Sequence, residues 1–369
     1  MTERQAYVAF NLTDKVGFAT VAGLVEREGS VVAAWEKYPK KVSRTGGAVA
    51  WEEELVRAER LGVEIVTPAD AGYPAALRQA PGAPLALYVK GEASALSKPM
   101  IALIGTRRAT AYGRDLANRL AYELCKAGWA VLSGLAIGID GAAHRGALDA
   151  AGVTVGVIGS GIDRFYPEEN RELAREIVRG GGAVVSEFPF GRPPDQETFP
   201  IRNHVVAALA RGVVAVEAPF KSGTLITAGI AADLGRTVMA VPARIGDRMS
   251  AGCLGLIRDG AILVRNVDDI LEAMSELLPR SSLPARSEDS GRQAAKRDPE
   301  TPPYSVEEAL VMLHVDEDGV SIDELVRKTK LPVARVNALA MSLRIKGFIK
   351  FLPGNRVSPC RGEDKAGIR

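Results

Sequence analysis

The sequence lacks the cysteine pattern that a disulfide framework or a structural zinc site needs. Its 369 residues include three cysteines, Cys125, Cys253 and Cys360, which lie far apart in the chain and form no CxxC pair. No spacing of cysteine and histidine suits a tetrahedral metal site. We therefore expect a reduced cytosolic protein that holds no metal and needs no cofactor.

Segments that would direct the chain to a membrane are also missing. The first residues, MTERQAYVAFNLTDK, mix acids and bases and contain no apolar run of signal-peptide length. No stretch reaches the roughly 18 apolar residues that a membrane span needs. The expected location is the cytoplasm, with no membrane partner.

A large excess of positive charge is absent as well. The chain has 47 Lys and Arg against 45 Asp and Glu, which leaves a formal net charge of +2. A nearly neutral chain does not bind duplex DNA as a general polycation, so any basic surface must be local. The hydrophobic content of 47% is ample for a core, and the length indicates two or three domains.

From Met100 onward, short apolar runs such as MIALIG, WAVLSG and GVVAV alternate with amphipathic helical segments. Continuous apolar strands separated by helices are typical of a parallel sheet covered on both faces. The predicted fold class is therefore α/β, with an extended Rossmann-like, doubly wound parallel sheet over residues 61–279. Ligands of such sheets bind beyond the carboxyl ends of the strands.

Two smaller domains are expected to flank the sheet. Residues 1–60 show helical spacing and predict a small helical domain. The polar segment 280–303 predicts a flexible linker. Residues 304–358 contain SIDELVRKT, LPVARVNALAMSLRIKG and FIKFLPGNRVS, which read as two helices and a hairpin and predict a winged helix, followed by a tail at 359–369. Basic residues crowd the segment from 321 to 356, with eight Lys and Arg against two acids.

Two of the segments that follow strands have the residue types of an anion site. In EAPFKSGTLITAG, residues Ser222, Gly223 and Thr224 would open a helix whose free N–H groups and dipole attract an anion, and Lys221 adds a charge. In IGTRRATAYGRD, a turn at Gly105 and Thr106 precedes two arginines. GxGxxG and a ribose-binding acid are absent there, so Arg107 and Arg108 suit phosphates and stacked bases; alternatively they are solvated surface charges.

Three further segments leave alternatives open. In SGLAIGIDGAAHRGAL, Asp140 and His144 form either a catalytic pair or an Asp–His hydrogen bond or cap that fixes the loop, and we favour the hydrogen bond or cap. GSGIDRFYPEEN offers a second anion nest at Gly159, Ser160 and Gly161. Its aromatic pair, Phe165 and Tyr166, either stacks on bases or packs under the loop.

In FPIRNH, the last of these segments, Arg202 and Asn203 sit at a helix start where Arg202 points to phosphate. His204 is either a general base or a packing residue. None of these segments offers a persuasive nucleophile, metal cluster or carboxylate pair. We therefore expect a site that holds phosphate without cleaving it.

Taken together, IGTRRATAYG, SGLAIGIDGAAHRGAL, GVIGSGIDRFYPEEN, FPIRNHVVAAL and VEAPFKSGTLITA closely resemble, in order and spacing, the DNA processing protein A family (DprA, also called Smf). The resemblance covers nearly the whole chain. It implies a sterile-alpha-motif-like N-terminal domain, the extended Rossmann fold and a winged helix. It also implies sequence-independent binding of single-stranded DNA and loading of RecA during natural transformation, often as a homodimer and without catalysis.

Carried over by this resemblance, the DNA-binding residues include Gly105, Arg107, the GSG at 159–161, Arg202 and Asn203, and the SGT at 222–224. The chain departs from the family pattern in three places. His204 replaces an arginine, and Glu168 and Glu169 stand in a loop that often carries a lysine. The usual AVPG reads AVPA at 240–243, and a following GxN reads Gly252, Cys253, Leu254.

Two other functions compete with single-stranded DNA binding. A nucleotide phosphoribohydrolase of the related Rossmann type carries a PGGxGTxxE loop, but here no acid follows the SGT until Asp233. A duplex-DNA regulator would instead use the basic winged helix.

Overall fold

The computed structural model describes most of the chain, namely residues 1–14, 16–39, 50–275, 306–316, 319–345, 348–352 and 356–359. The chain divides into two compact units, Met1–Ser290 and Gly291–Arg369. The expected linker at 280–303, the tail beyond Pro359 and the hairpin turn at 353–355 lie outside the described residues. None of the described helices has the length and apolar character needed to cross a membrane.

The first part of the chain is helical, as its apolar spacing predicts. Its helices are α1 (Glu3–Leu12), α2 (Phe18–Glu28), α3 (Val31–Lys37) and α4 (Trp51–Leu61). A capping box starts α1, because the Thr2 hydroxyl accepts from the Gln5 N–H while the Gln5 side chain accepts from the Thr2 N–H. Gly17 and Gly29 flank α2 and end the helical run on either side.

The strands of the first unit all belong to one sheet. Their bounds are β1 (Glu64–Val66), β2 (Leu87–Gly91), β3 (Met100–Gly105), β4 (Ala130–Ser133), β5 (Thr154–Val157), β6 (Ala183–Ser186), β7 (Gly212–Glu217), β8 (Thr237–Ala240) and β9 (Ile262–Leu263). Within the described residues the strand order is β1-β2-β6-β5-β4-β3-β7-β8-β9. From β6 to β9 all neighbours are parallel, whereas β2 runs antiparallel to both β1 and β6.

Helices cover both faces of this sheet. They are α5 (Ala75–Arg78), α6 (Ala111–Lys126), α7 (Ile139–Asp149), α8 (Arg171–Arg179), α9 (Thr198–Leu209), α10 (Gly223–Asp233), α11 (Ala251–Arg258) and α12 (Val267–Ser275), with 3-10 turns at Ala93–Ser97, Ile162–Arg164 and Glu168–Asn170. Strand β3 shows the layering. Met100, Ala102 and Ile104 belong to one hydrophobic cluster, whereas Ile101 and Leu103 belong to another. Because alternate residues of a strand face opposite sides, the sheet is buried on both faces and the predicted doubly wound fold is confirmed.

The second unit has the predicted order of two helices and a hairpin, preceded by one more helix. Its core contains Leu325, Val336 and Ile349, all fully buried. The sheet order is β10-β12-β11 with antiparallel pairs. The bounds are α13 (Val306–Met312), β10 (Val320–Ser321), α14 (Ile322–Thr329), α15 (Val333–Ile345), β11 (Ile349–Leu352) and β12 (Arg356–Pro359).

Part of the positive charge of the second unit is neutralised internally. Lys328 pairs with Glu324 at 2.9 Å, and Arg335 pairs with Glu307. The Ser321 hydroxyl accepts from the Glu324 N–H at 3.2 Å and caps α14, while the Glu324 side chain turns to Lys328. The number of basic residues in this unit therefore overstates the positive charge that is available to duplex DNA.

Candidate nucleic-acid interface

A cavity of about 410 Å³ opens where the carboxyl ends of β3 and β7 lie side by side. The chain leaves β3 through α6 toward β4 on one side, and leaves β7 through α10 toward β8 on the other. This is the topological switch point of the sheet, where ligands of doubly wound folds bind. The lining residues come from the segments after β3, β4 and β7 and from the first turns of α9.

The turn after β3 is held by backbone contacts, which leaves its two arginines free to face outward. The Thr106 N–H donates to the Glu217 carbonyl at 2.8 Å, and the Arg108 N–H donates to the Thr106 hydroxyl at 3.1 Å. A Cβ on Gly105 would lie 2.4 Å from Ile139, so only glycine fits there. Arg107 and Arg108 are exposed and line the cavity, as the phosphate interpretation requires.

An aromatic ring forms one wall of the cavity. The Arg107 guanidinium lies 4.7 Å from the centroid of Phe199, close enough for a cation–π contact. Tyr166 lies 6.2 Å from Phe199 and is 46% exposed. Phe165 instead belongs to a hydrophobic cluster and has the Arg171 guanidinium over its ring. Of the two sequence interpretations, stacking on bases fits Tyr166, whose ring is available. Packing under the loop fits Phe165.

The start of α10 faces the same cavity. Ser222, Gly223 and Thr224 line it, as the sequence predicts. Ser222 is the N-cap in extended conformation, but its hydroxyl does not cap the helix and is buried without a hydrogen-bond partner among the described residues. The first N–H groups of a helix lack intrahelical partners, so this end can receive an anion. Lys221 is exposed in the left-handed region, at φ +63°, and does not line the cavity.

Arg202 lies deeper than the sequence interpretation implies. Its side chain lines the cavity, but the residue is 6% exposed, and its Nη1 donates to the carbonyls of Gly134 and Val157. Its Nε donates to the Asn203 side chain at 3.1 Å. Arg202 therefore joins the ends of β4 and β5 and adds positive potential, rather than standing free to grip a phosphate.

The GSG segment, which the sequence offers as a second anion nest, is buried at all three of its residues. Ser160 is fully buried, and its carbonyl accepts from the Ser186 hydroxyl at 2.7 Å. The Gly161 N–H donates to the Arg192 carbonyl at 2.9 Å, so it is not available to a phosphate. A Cβ on Gly159 would lie 3.2 Å from Phe199. The segment supports the aromatic wall from behind and does not line the cavity.

Asp140 and His144 do not bond to each other, but Asp140 does fix the loop after β4 through its backbone, as the cap alternative expects. The Asp140 carboxylate accepts from the Ala136 N–H at 3.4 Å and is buried near Arg202; burial raises its pKa. His144 Nδ1 lies 2.7 Å from the Thr154 hydroxyl, which itself donates to the Val131 carbonyl. The imidazole is therefore the donor at Nδ1, and its Nε2 is buried with no partner in the part of the chain that the structure describes. Because His144 is fully buried and remote from solvent, it is not placed to act as a base.

Burial, together with the charge of Arg202, lowers the pKa of His144 to about 3. An unfolded histidine titrates near pH ~6.5, so between these values the unfolded state binds the proton and the native state does not. His144 thus destabilises the fold as the pH falls, by up to ~1.4 kcal/mol per pH unit. Asp140, with its raised pKa, acts in the opposite direction.

Replacing His144 by Asn isolates this contribution, because the amide keeps a donor for Thr154 but does not titrate. We expect the stability difference between wild type and His144→Asn to shrink by about 2 kcal/mol between pH ~6.5 and pH ~5. Urea unfolding across this pH range measures it. A difference that stays constant with pH would contradict the assignment.

Glu217, which ends β7, holds the N-cap residue of α6. Its carboxylate is 3% exposed and accepts from the backbone N–H of Thr110, at 2.9 Å, and from the Thr110 hydroxyl. Thr110 is the N-cap of α6, so the carboxylate lies at the positive end of that helix. A phosphoribohydrolase needs a carboxylate aimed at its substrate, and here this carboxylate is used in the fold.

Comparison with known proteins identifies the family. A family model described as DNA recombination-mediator protein A matches residues 64–275, and one described as the DprA winged helix domain matches residues 294–355. Protein Smf of Escherichia coli (strain K12) is 36% identical over 291 residues, which cover 79% of this chain and 76% of that protein. The chain belongs to the DNA processing protein A family.

Solved structures agree with this assignment. The X-ray structure of DNA processing protein A from Streptococcus pneumoniae shares 30% identity with a TM-score of 0.61, covering 74% of this chain and 98% of that one. DNA processing protein A from Helicobacter pylori, described for its single-stranded DNA binding mode, shares 28% identity with a TM-score of 0.52 over 58% of this chain and 96% of that one.

The departures from the DNA processing protein A pattern fall outside the cavity. His204 lies against the Pro81 backbone and Gly82, and burial lowers its pKa. Glu168 pairs with Arg171, whose guanidinium lowers the pKa of that carboxyl, so its charge is offset locally. Neither His204 nor Glu168 lines the cavity, so the negative charge of Glu168 is not among the residues of the site.

The altered end of β8 also keeps a defined geometry. The Gly252 N–H donates to the Ala218 carbonyl at 2.7 Å, and the buried Cys253 thiol lies 3.6 Å from the Ala215 carbonyl. These contacts tie α11 to the end of β7.

Asn170, in the YPxEN loop of the family, was not singled out from the sequence as a functional residue. Its amide donates to the carbonyls of Leu135 and Ala136, both at 2.9 Å. Leu135 has a positive φ of 54°, so the loop after β4 is held in a strained conformation by this side chain. Asn170 therefore positions one wall of the cavity from outside it.

Proposed function

We propose that this DNA processing protein A binds single-stranded DNA, without sequence preference, at the cavity between β3 and β7. One observation carries the proposal: two exposed arginines, a helix N-terminus and an aromatic ring converge on a single cavity at the switch point. Arginines and helix N–H groups suit phosphates, and an aromatic face accepts any base. The described binding of single-stranded DNA by the H. pylori relative supports it.

The proposed contacts divide by position. Direct contacts would come from the residues that line the cavity, namely Gly105, Thr106, Arg107, Arg108, Asn203, Ser222, Gly223 and Thr224. Arg202 and the buried Gly159–Gly161 segment would support this wall, and Lys221 would contribute charge from outside it.

We also propose that the site holds DNA and does not cleave it. The titratable groups nearest to it have structural tasks: Glu217 holds the N-cap residue of α6, and Asp140 accepts from the backbone. His144, which the catalytic alternative needs as a base, bonds to Thr154 in the core.

The remaining parts of the proposal depend on family membership. The chain would load RecA onto the bound strand in DNA uptake, natural transformation and recombination. It would assemble as a homodimer and act with these partners in the cytoplasm. The division into domains at 1–60, 61–279, 280–303, 304–358 and 359–369 belongs with them.

Fluorescence anisotropy tests the proposed binding. We expect the full chain to bind a labelled oligo-dT and a mixed-sequence single strand equally well, and both more tightly than a duplex of the same length. Removing residues 304–369 should leave this preference intact, because the cavity belongs to the first unit. A duplex preference that disappears with 304–369 would instead assign DNA binding to the winged helix.

A further inference from the structure

A second cavity, of about 480 Å³, lies along α8 on the side of the sheet that carries β2 and β6. Its floor is apolar: Val63, Ile162, Val178 and Val184 line it, with Phe165 at one end. The volume is in the range of ligand sites, which lies between about 300 and 1,000 Å³. None of the residues proposed to contact DNA lines this cavity.

The rim of this cavity is basic. Arg171, Arg175 and Arg179 follow one another at intervals of four residues along α8, so they share one face of the helix, and Lys90 of β2 also lines the cavity. Asp163 is the acid among the lining residues, and its carboxylate accepts from Arg57 at 2.8 Å and from the Gly191 N–H. This acid therefore does not neutralise the rim.

The ion pairs on the rim are exchangeable. Arg175 and Arg179 share one carboxylate, that of Glu172, and their side chains are 61% and 65% exposed. Exposed pairs of this kind contribute little to stability, so a ligand carboxylate can replace or join Glu172. Two guanidinium groups against one carboxylate leave the rim with an unmatched positive charge.

We propose that this cavity binds an acidic peptide segment of a partner protein, with an apolar side chain in the floor and carboxylates against Arg175 and Arg179. Nucleic acid fits less well, because Phe165 is the one aromatic side chain among the described lining residues and packs against a hydrophobic cluster, whereas bases need exposed rings for stacking. The floor is otherwise aliphatic, which suits leucine or phenylalanine. This proposal does not depend on the proposed DNA site.

The test uses the full chain and a fluorescein-labelled peptide with a run of aspartates followed by leucine and phenylalanine. We expect saturable binding that weakens about tenfold or more in Arg175→Ala/Arg179→Ala, since two charge-assisted contacts are lost. Replacing the aspartates by asparagine, or the apolar pair by serine, should each weaken binding similarly. Arg119→Ala/Arg145→Ala is the matched control, because it also removes two exposed positive charges and neither residue lines the cavity.

Each alternative outcome overturns the proposal. Absence of saturable binding would do so, as would binding that ignores the two arginines or survives loss of the apolar pair, which would indicate nonspecific charge attraction. If oligo-dT displaces the peptide and itself loses affinity in Arg175→Ala/Arg179→Ala, the cavity belongs to a nucleic-acid path. Unchanged thermal unfolding of the variant shows that its fold is intact.

Discussion

Replacing Arg107 and Arg108 together by alanine is expected to lower the affinity for single-stranded oligo-dT about a hundredfold at low salt. Both side chains are exposed and line the cavity, so the change removes two guanidinium groups without disturbing the core. A hydrogen bond to a charged group contributes about 1.5–3 kcal/mol, so two of them account for a loss of this size. The salt dependence should change as well. Each lost phosphate contact reduces the log–log slope by about 0.7, so the double variant should be less salt-sensitive by about 1.4.

The matched control for this variant is Arg119→Ala/Arg211→Ala. Arg119 is exposed on α6. Arg211 is exposed directly before β7, at the amino-terminal end of that strand, whereas the cavity lies at its carboxyl end. The control removes the same net charge as the test variant. Because it does so away from the cavity, the affinity for oligo-dT should fall only slightly. Equal losses in the two double variants would show that binding follows net charge and not the cavity.

Replacing Arg202 by alanine is expected to lower the free energy of unfolding by about 3–5 kcal/mol, the cost of removing one partner from a buried charged arrangement. The guanidinium is buried and donates to the carbonyls of Gly134 and Val157, so its loss leaves those acceptors without this donor. It also leaves Asp140 without the nearby positive charge that favours its ionised form. Urea unfolding near neutral pH measures the change, which is large relative to a stability of about 5–15 kcal/mol.

Arg211→Ala serves again as the control for stability, because that side chain is exposed and should cost less than about 0.5 kcal/mol. The result also separates two roles for Arg202. Wild-type stability combined with lost DNA binding would mean that Arg202 grips phosphate directly and that its burial matters little.

The layered sheet could be predicted because its signal is local. In MIALIG every residue is apolar, and a strand buried on both faces needs nothing else to be recognised. The direction of β2 could not be read in the same way. LYVKG is compatible with either direction, and its antiparallel pairing with β6 is set by where the chain returns to the sheet.

The candidate site shows a similar division. Arg107 lies in the turn after β3 and Arg202 in the first turns of α9, and the sequence assigns both to phosphate. The difference between them is burial, which depends on packing from β4, β5 and α9 and leaves no local signature. The role of Glu217 could have been predicted from the sequence. Thr110 is a favourable N-cap two residues after Arg108, and the positive end of its helix favours an anionic partner.

The contact between Arg107 and Phe199 joins residues about ninety positions apart, so only the fold brings them together. That contact also offers the most direct test of the proposed DNA site. If single-stranded DNA crosses this cavity, a base must come near the aromatic wall that Phe199 forms with Tyr166.

The most direct measurement is photo-crosslinking of the full chain to an oligo-dT that carries 5-iodouracil, followed by mapping of the attached residues by mass spectrometry. We predict crosslinks at Phe199 or Tyr166, lost when Arg107 and Arg108 are replaced and retained in the Arg119→Ala/Arg211→Ala control. Crosslinks confined to residues 306–359, or to the arginine face of α8, would contradict this prediction and place the strand elsewhere on the protein.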